Sequence, residues 1–231
     1  MLYRLLYRLP TTANMLQTTH SHSHELPAEV AHQQGEQIRI LETISNPAVN
    51  LSLWQRPEEH RVALEAATLA THPLRDARRP TSLTSFDEDV CALLQLQGVN
   101  PADYEALRAD MFMLAQLFAP LTEGRPFRFR LLTTAKDDCR RFHLDRINLR
   151  LLCTYRGPGT EWLRNEQVDR LAQARGAPNE DIIRFGEASR FQPFWVGIMR
   201  GDPANNGDGL VHRSPPIAGT GQARVLFCLD C

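Results

Sequence analysis

The chain has 231 residues, 42% of them hydrophobic and 23% charged, with a formal net charge of −1. That length buries one good core with room for an appendage. Near-neutral charge argues against a general nucleic-acid binder, and no apolar run approaches the roughly 20 residues that cross a bilayer.

Residues 1–45 read as a flexible leader. The opening MLYRLLYRLP is interrupted by Arg4, Arg8 and Pro10, so it predicts an ordinary cytosolic start and no signal peptide. The following polar stretch carries His20, His22 and His24 and too few large apolar residues to offset its ordering entropy. Gln37–Ile44 is expected to form a short strand. Residues 46–231 are expected to form one domain, helical over 46–124 and β-rich over 125–231.

In the helical part, Pro57 suits a first helical position, and PEEHRVALEAATLA continues with acidic residues in the first turn. FDEDVCALLQLQG predicts a second helix closed by Gly98. Asn100 as N-cap and Pro101 at the first position open a third, with Tyr104, Leu107, Met111, Leu114 and Phe118 at helical spacing until Pro120. From Pro126 the period changes. RPFRFRLLTT alternates Phe127, Phe129 and Leu131 with Arg128 and Arg130, and NLRLLCTY is a second strand ended by RGPGT. A short helix near 161–174 precedes three further strand-like runs, FWVGIMRGD, LVHRS and ARVLFCLD. The expected fold is α+β: N-terminal helices packed on a C-terminal double-stranded β-helix of jelly-roll or cupin type.

The chemistry centres on RRFHLDR. In an extended segment His143 and Asp145 face one side, and His212 is the other histidine of the C-terminal two-thirds. Two imidazoles and a carboxylate form the facial set that holds non-haem Fe(II) with positions left open, and the same donors suit Mn(II) or Zn(II). Arg224 lies twelve residues beyond His212. H-x-D, a distant His and then an Arg is the order found in jelly-roll 2-oxoglutarate oxygenases. FHLDRINLRLLCTYRGPGTEW also resembles the stretch after the first ligand in prolyl-hydroxylase-like members, with Gly157, Gly159 and Glu161 matching a glycine-rich turn and its acidic residue. That resemblance implies that Arg224 pairs with the distal carboxylate of 2-oxoglutarate, a contact suited to guanidinium geometry. Arg150 is a rival anchor. Leu226 stands where a hydroxyl residue often assists, leaving Thr154 or Tyr155 to substitute. The bland alternatives are a surface His–Asp pair, a strand-edge charge at Arg224 and a helix first-turn acid at Glu161.

Over roughly 50–231 the chain resembles a bacterial family of unknown function, DUF1826, through FHLDRINLRLLCTYRGPGTEWL, VHRSPP and RVLFCLDC. Members are often encoded near zinc-responsive metallochaperone GTPases, which implies a setting in metal homeostasis and no particular reaction.

A non-catalytic zinc protein is the competing expectation. Cys139, Cys153, Cys228 and Cys231 could supply thiolates, although Cys228 and Cys231 fall on opposite faces of an extended strand. Buried cysteines acting as small hydrophobes are the plainer reading. The HSHSH segment could hold a metal loosely. A barrel that binds a partner without metal is a third. Five cysteines without the spacing of a secreted scaffold predict reduced thiols in a cytoplasm. The absence of G-x-G-x-x-G, P-loop and G-x-S-x-G motifs disfavours dinucleotide redox, nucleotide hydrolysis and serine hydrolysis. The sequence leaves the substrate, small molecule or protein, and the oligomeric state open.

Overall fold

The computed structural model describes residues 31–231; the His20, His22 and His24 cluster lies outside them. The fold is mixed α/β around a large, mainly antiparallel sheet. In chain order the strands are β1 (His32–Gly35), β2 (Leu51–Trp54), β3 (Arg78–Thr81), β4 (Phe127–Thr134), β5 (Leu149–Arg156), β6 (Glu161–Trp162), β7 (Ser189–Arg190), β8 (Val196–Arg200), β9 (His212–Arg213) and β10 (Arg224–Asp230). The α-helices are α1 (His60–Leu69), α2 (Phe86–Leu96), α3 (Glu105–Phe118), α4 (Arg170–Ala174) and α5 (Asn179–Ile182). Seven strands form the large sheet in the order β1-β2-β8-β5-β10-β4-β3, and β7-β6-β9 form a small one. Among the described residues no helix is long and apolar enough to cross a membrane.

Alternation along β5 and β10 divides the interior into two layers. Leu151, Cys153, Tyr155, Val225, Phe227 and Leu229 belong to the core shared with Val62 and Ala66 of α1, Phe86 and Val90 of α2, and Met111 and Phe118 of α3. Their neighbours of opposite parity, Leu152, Leu226 and Cys228, pack with Leu51, Leu53, Met199 and Trp162 in a second core on the other face. Every residue of β10 is therefore buried. The candidate site lies over the second face, where Leu152, Leu226 and Cys228 line its pocket.

Three local expectations are corrected. The strand near the start is His32–Gly35, and Ile38–Ser45 is a 3₁₀ helix. Its buried residues, Leu41 and Ile44, are three apart, the period of that helix rather than of a strand. β1 pairs in parallel with β2, so residues 32–35 form one edge of the large sheet. α1 opens at His60, where Glu59 accepts hydrogen bonds from the Arg61 and Val62 backbone N–H groups, so Pro57 precedes the helix. The helix expected over 161–174 begins instead as β6, and α4 spans only Arg170–Ala174 behind an Asp169 cap.

Candidate metal centre

His143 lies in the loop between β4 and β5, and a single antiparallel bridge joins it to His212 at the start of β9. The loop is held along its length. Phe142 N–H donates to Asn179 Oδ1 at 2.9 Å, and Asp202 N–H donates to the Asp145 carbonyl at 2.7 Å. Gly201 packs so closely that an added Cβ would stand 2.1 Å from the Ile147 carbonyl oxygen. Only a residue without a side chain lets the end of β8 approach the Asp145 loop this closely.

The bridge brings the ligand atoms of His143, Asp145 and His212 within 4.8 Å of one another, and among the described residues no other group of three or more potential ligands does so. His143 Nε2 is 3.7 Å from Asp145 Oδ1, and His212 Nε2 is 3.2 Å from Asp145 Oδ2. Each imidazole is oriented from behind. His143 Nδ1 is 2.9 Å from the Arg141 carbonyl oxygen and His212 Nδ1 is 3.0 Å from that of Leu210. A carbonyl only accepts, so each Nδ1 carries the donating proton and each Nε2 is left facing Asp145 as the atom available to a metal. Two imidazole nitrogens and a carboxylate then face one another, a set of donor atoms that one ion can bridge. The arrangement calls for a cation, and N/O donors of this kind suit a first-row divalent metal.

The electrostatics agree. Burial pushes the Asp145 carboxyl up, but His212, Arg150 and His143 together hold it far below the usual carboxylate range, so it stays ionised. Burial, followed by the nearby His212, lowers His143 and favours its neutral, ligating form.

Around the triad lies a pocket of about 260 Å³ whose lining includes Arg78, Asp138, Cys139, Arg150, Leu226 and Cys228. That volume is near the small end of ligand pockets, about 300–1,000 Å³, so it suits a small molecule or one side chain. Arg224 opens β10 and is 1% exposed. It shares its strand face with Leu226 and Cys228, and Nη2 donates to Thr154 Oγ1 at 3.5 Å while Nε has no partner. Burial brings its pKa down to about 10. Gly157 makes room for it: a Cβ there would lie 2.5 Å from the Ala223 carbonyl oxygen and 3.1 Å from Arg224 Cγ.

Two proposed contributors stand elsewhere in the network. Tyr155 points to the helix face of the sheet and donates to Asp110 Oδ2 at 2.6 Å, which removes it from the pocket. Arg150 reaches the cluster, but its guanidinium is engaged by Asp145 and Asp230, so it is not a free anchor. Cys153 and Cys228 lie on opposite faces of the sheet, in separate cores, and the four-cysteine site does not assemble. Burial raises their thiols to about 12 and about 11, away from thiolate character.

Charged residues outside the triad brace the site. Buried Glu161 accepts from Arg190 and, at 2.6 Å, from Arg213 Nε. Arg213 also lies 4.6 Å over the Phe142 ring. One guanidinium thus packs behind the residue preceding His143 while following His212 in sequence. Asp230 acts similarly through Arg150. Only the strand register reveals these partnerships.

Residues 35–230 match the model of a protein family of unknown function, DUF1826, and the chain belongs to that family. No curated protein matches it in sequence. Among solved structures, a dioxygenase for auxin oxidation from Arabidopsis thaliana in complex with 2-oxoglutarate is 12% identical with a TM-score of 0.45, covering 86% of this chain and 91% of that one. A Pseudomonas putida prolyl-4-hydroxylase is 13% identical with a TM-score of 0.31, over 75% and 95%. EvdO2 from Micromonospora carbonacea is 11% identical with a TM-score of 0.33, over 75% and 91%. These likenesses are remote, and the chemistry below rests on the site itself.

Proposed function

We propose that the chain is a non-haem Fe(II), 2-oxoglutarate-dependent oxygenase whose two sheets form a double-stranded β-helix. His143, Asp145 and His212 would hold the iron, and Arg224 would hold the distal carboxylate of 2-oxoglutarate. The observation that carries this reading is the contrast among the buried arginines. Arg56 and Arg150 each grip an aspartate through two nitrogens, whereas among the described residues Arg224 forms no ion pair and its Nε has no partner. A buried guanidinium without an anion is costly, and a carboxylate ligand on the same face of the sheet as the triad removes that cost.

When bound, iron and 2-oxoglutarate supply the oxygen-activating chemistry. The protein's part is orientation and exclusion of water. The Arg141 and Leu210 carbonyls fix the two imidazoles, Asp145 provides the anionic donor, and Leu152, Leu226 and Cys228 give the pocket an apolar floor. The substrate, a small molecule or a protein side chain, would enter past Arg78, Asp138 and Cys139. Free cysteines throughout the described residues agree with a reducing, cytoplasmic setting.

A structural zinc site fits less well. Such sites close four ligands around the ion, whereas this one offers three and opens on a pocket. The test is anaerobic loading with Fe(II), then addition of 2-oxoglutarate and dioxygen with succinate as the readout. Slow succinate formation that disappears in His143→Ala is expected; iron binding retained in that variant contradicts the assignment.

A further inference from the structure

Asp145 offers two oxygens to a metal, and the structure treats them differently. Arg150 Nη1 donates to Oδ2 at 2.5 Å, an oxygen that also lies 3.2 Å from His212 Nε2, while Oδ1 lies 3.7 Å from His143 Nε2 and receives no comparable hydrogen bond from a guanidinium. Arg150 is itself immobilised. Its Nε and Nη2 donate to Asp230 Oδ1 and Oδ2 at 2.6 and 3.0 Å, and the register of β5 with β10 sets the two residues directly opposite. Side-chain exposures of 9% for Arg150 and 8% for Asp230 keep water from competing. A planar guanidinium held by two bonds on one edge can direct its remaining edge along a single line.

We infer that Arg150, clamped by Asp230, is a positioning residue that reserves Asp145 Oδ2 and makes Asp145 a one-oxygen ligand through Oδ1. The inference rests on the reading of His143, Asp145 and His212 as metal ligands. An oxygen already accepting a short, charge-assisted hydrogen bond has less electron density to give a cation. Without the clamp the two oxygens are equivalent and can chelate together, and the second occupies a position that a facial triad otherwise leaves open. Asp230 needs Arg150 only as a counter-ion; the additional bond to Asp145 is what reaches the metal ligands. Arg78, 3.9 Å from Asp230 Oδ2 and half-exposed, extends the chain of charges toward the pocket mouth.

The experiment uses the full chain loaded with Mn(II), with the coordinated waters counted from the broadening of its paramagnetic resonance lines in isotopically labelled water. The wild type should keep about three waters and Arg150→Gln about two. Arg150→Lys, which restores one donor, should return the count toward the wild type. Asp230→Asn keeps the side-chain shape but weakens the clamp and should move the water count in the same direction, so it serves if Arg150→Gln does not fold. An unchanged water count in Arg150→Gln, or in Asp230→Asn if it is the one that folds, overturns the clamp. A wild type that binds no Mn(II) overturns the metal reading beneath it.

Discussion

His143 and His212 exchange both of their backbone hydrogen bonds, His143 N–H to the His212 carbonyl at 3.0 Å and the reverse at 3.1 Å. Sixty-nine residues apart by their numbering, they form one bridge whose rings stand 4.6 Å apart between centroids. Backbone geometry, not side-chain packing alone, therefore sets the separation of two candidate ligands. A peptide bridge is stiffer than a pair of rotamers, which suits a site that must present its donors before any ion arrives.

Metal binding should therefore stabilise the fold. At a free Mn(II) concentration about 100 times its dissociation constant, the gain is about 2.7 kcal/mol. Thermal unfolding with and without Mn(II) should show this as a raised midpoint in the wild type. Asp145→Asn and His143→Ala should show little or none, because each removes a donor from a set of three.

Arg224→Met should separate co-substrate binding from metal binding. Loss of one partner of a buried charge pair costs about 2–5 kcal/mol, so 2-oxoglutarate affinity should fall by at least about thirtyfold while Mn(II) affinity holds. Calorimetric titration of each ligand measures both. Equal 2-oxoglutarate affinity in the variant would place its carboxylate elsewhere.

Gly201→Ala should harm the site from outside it. The new methyl meets the Ile147 and Asp145 carbonyl oxygens, and overpacking of this kind costs about 1–3 kcal/mol. Relief requires the Asp145 loop to shift, so metal affinity should drop together with the unfolding midpoint.

Tyr155→Phe should do the opposite. Its hydroxyl serves Asp110, which Arg56 also holds, on the far face of the sheet from the pocket. The variant should lose about 1 kcal/mol of stability, measured by denaturant unfolding, with 2-oxoglutarate binding unchanged.

Much of this architecture was legible because periodicity and turn chemistry are local. The alternation of Phe127, Phe129 and Leu131 marks β4, and the Asn100–Pro101 start announces the helical stretch ending at Phe118. His143, Asp145 and His212 stand out because two isolated histidines and an H-x-D need no register to be noticed. What escaped depends on pairings remote in the chain. β6 is two residues long and exists because Glu161 and Trp162 pair with Arg213 and His212, a relationship absent from the local pattern, which favours a helix. Arg150 and Tyr155 differ by an odd number of positions on β5, so one strand cannot aim both at the pocket. That parity was readable, but which face held the site was not. Asp230 became recognisable only opposite Arg150.

The most direct test of the account is titration of 2-oxoglutarate into metal-free and Mn(II)-loaded protein, with bound manganese counted in the same samples. We predict about one Mn(II) per chain, and 2-oxoglutarate binding that is strong in the loaded protein and at least about tenfold weaker without metal, since in the proposed site Arg224 and the ion would each hold one end of the molecule. Stoichiometric manganese with no 2-oxoglutarate binding, or binding indifferent to manganese, would contradict it.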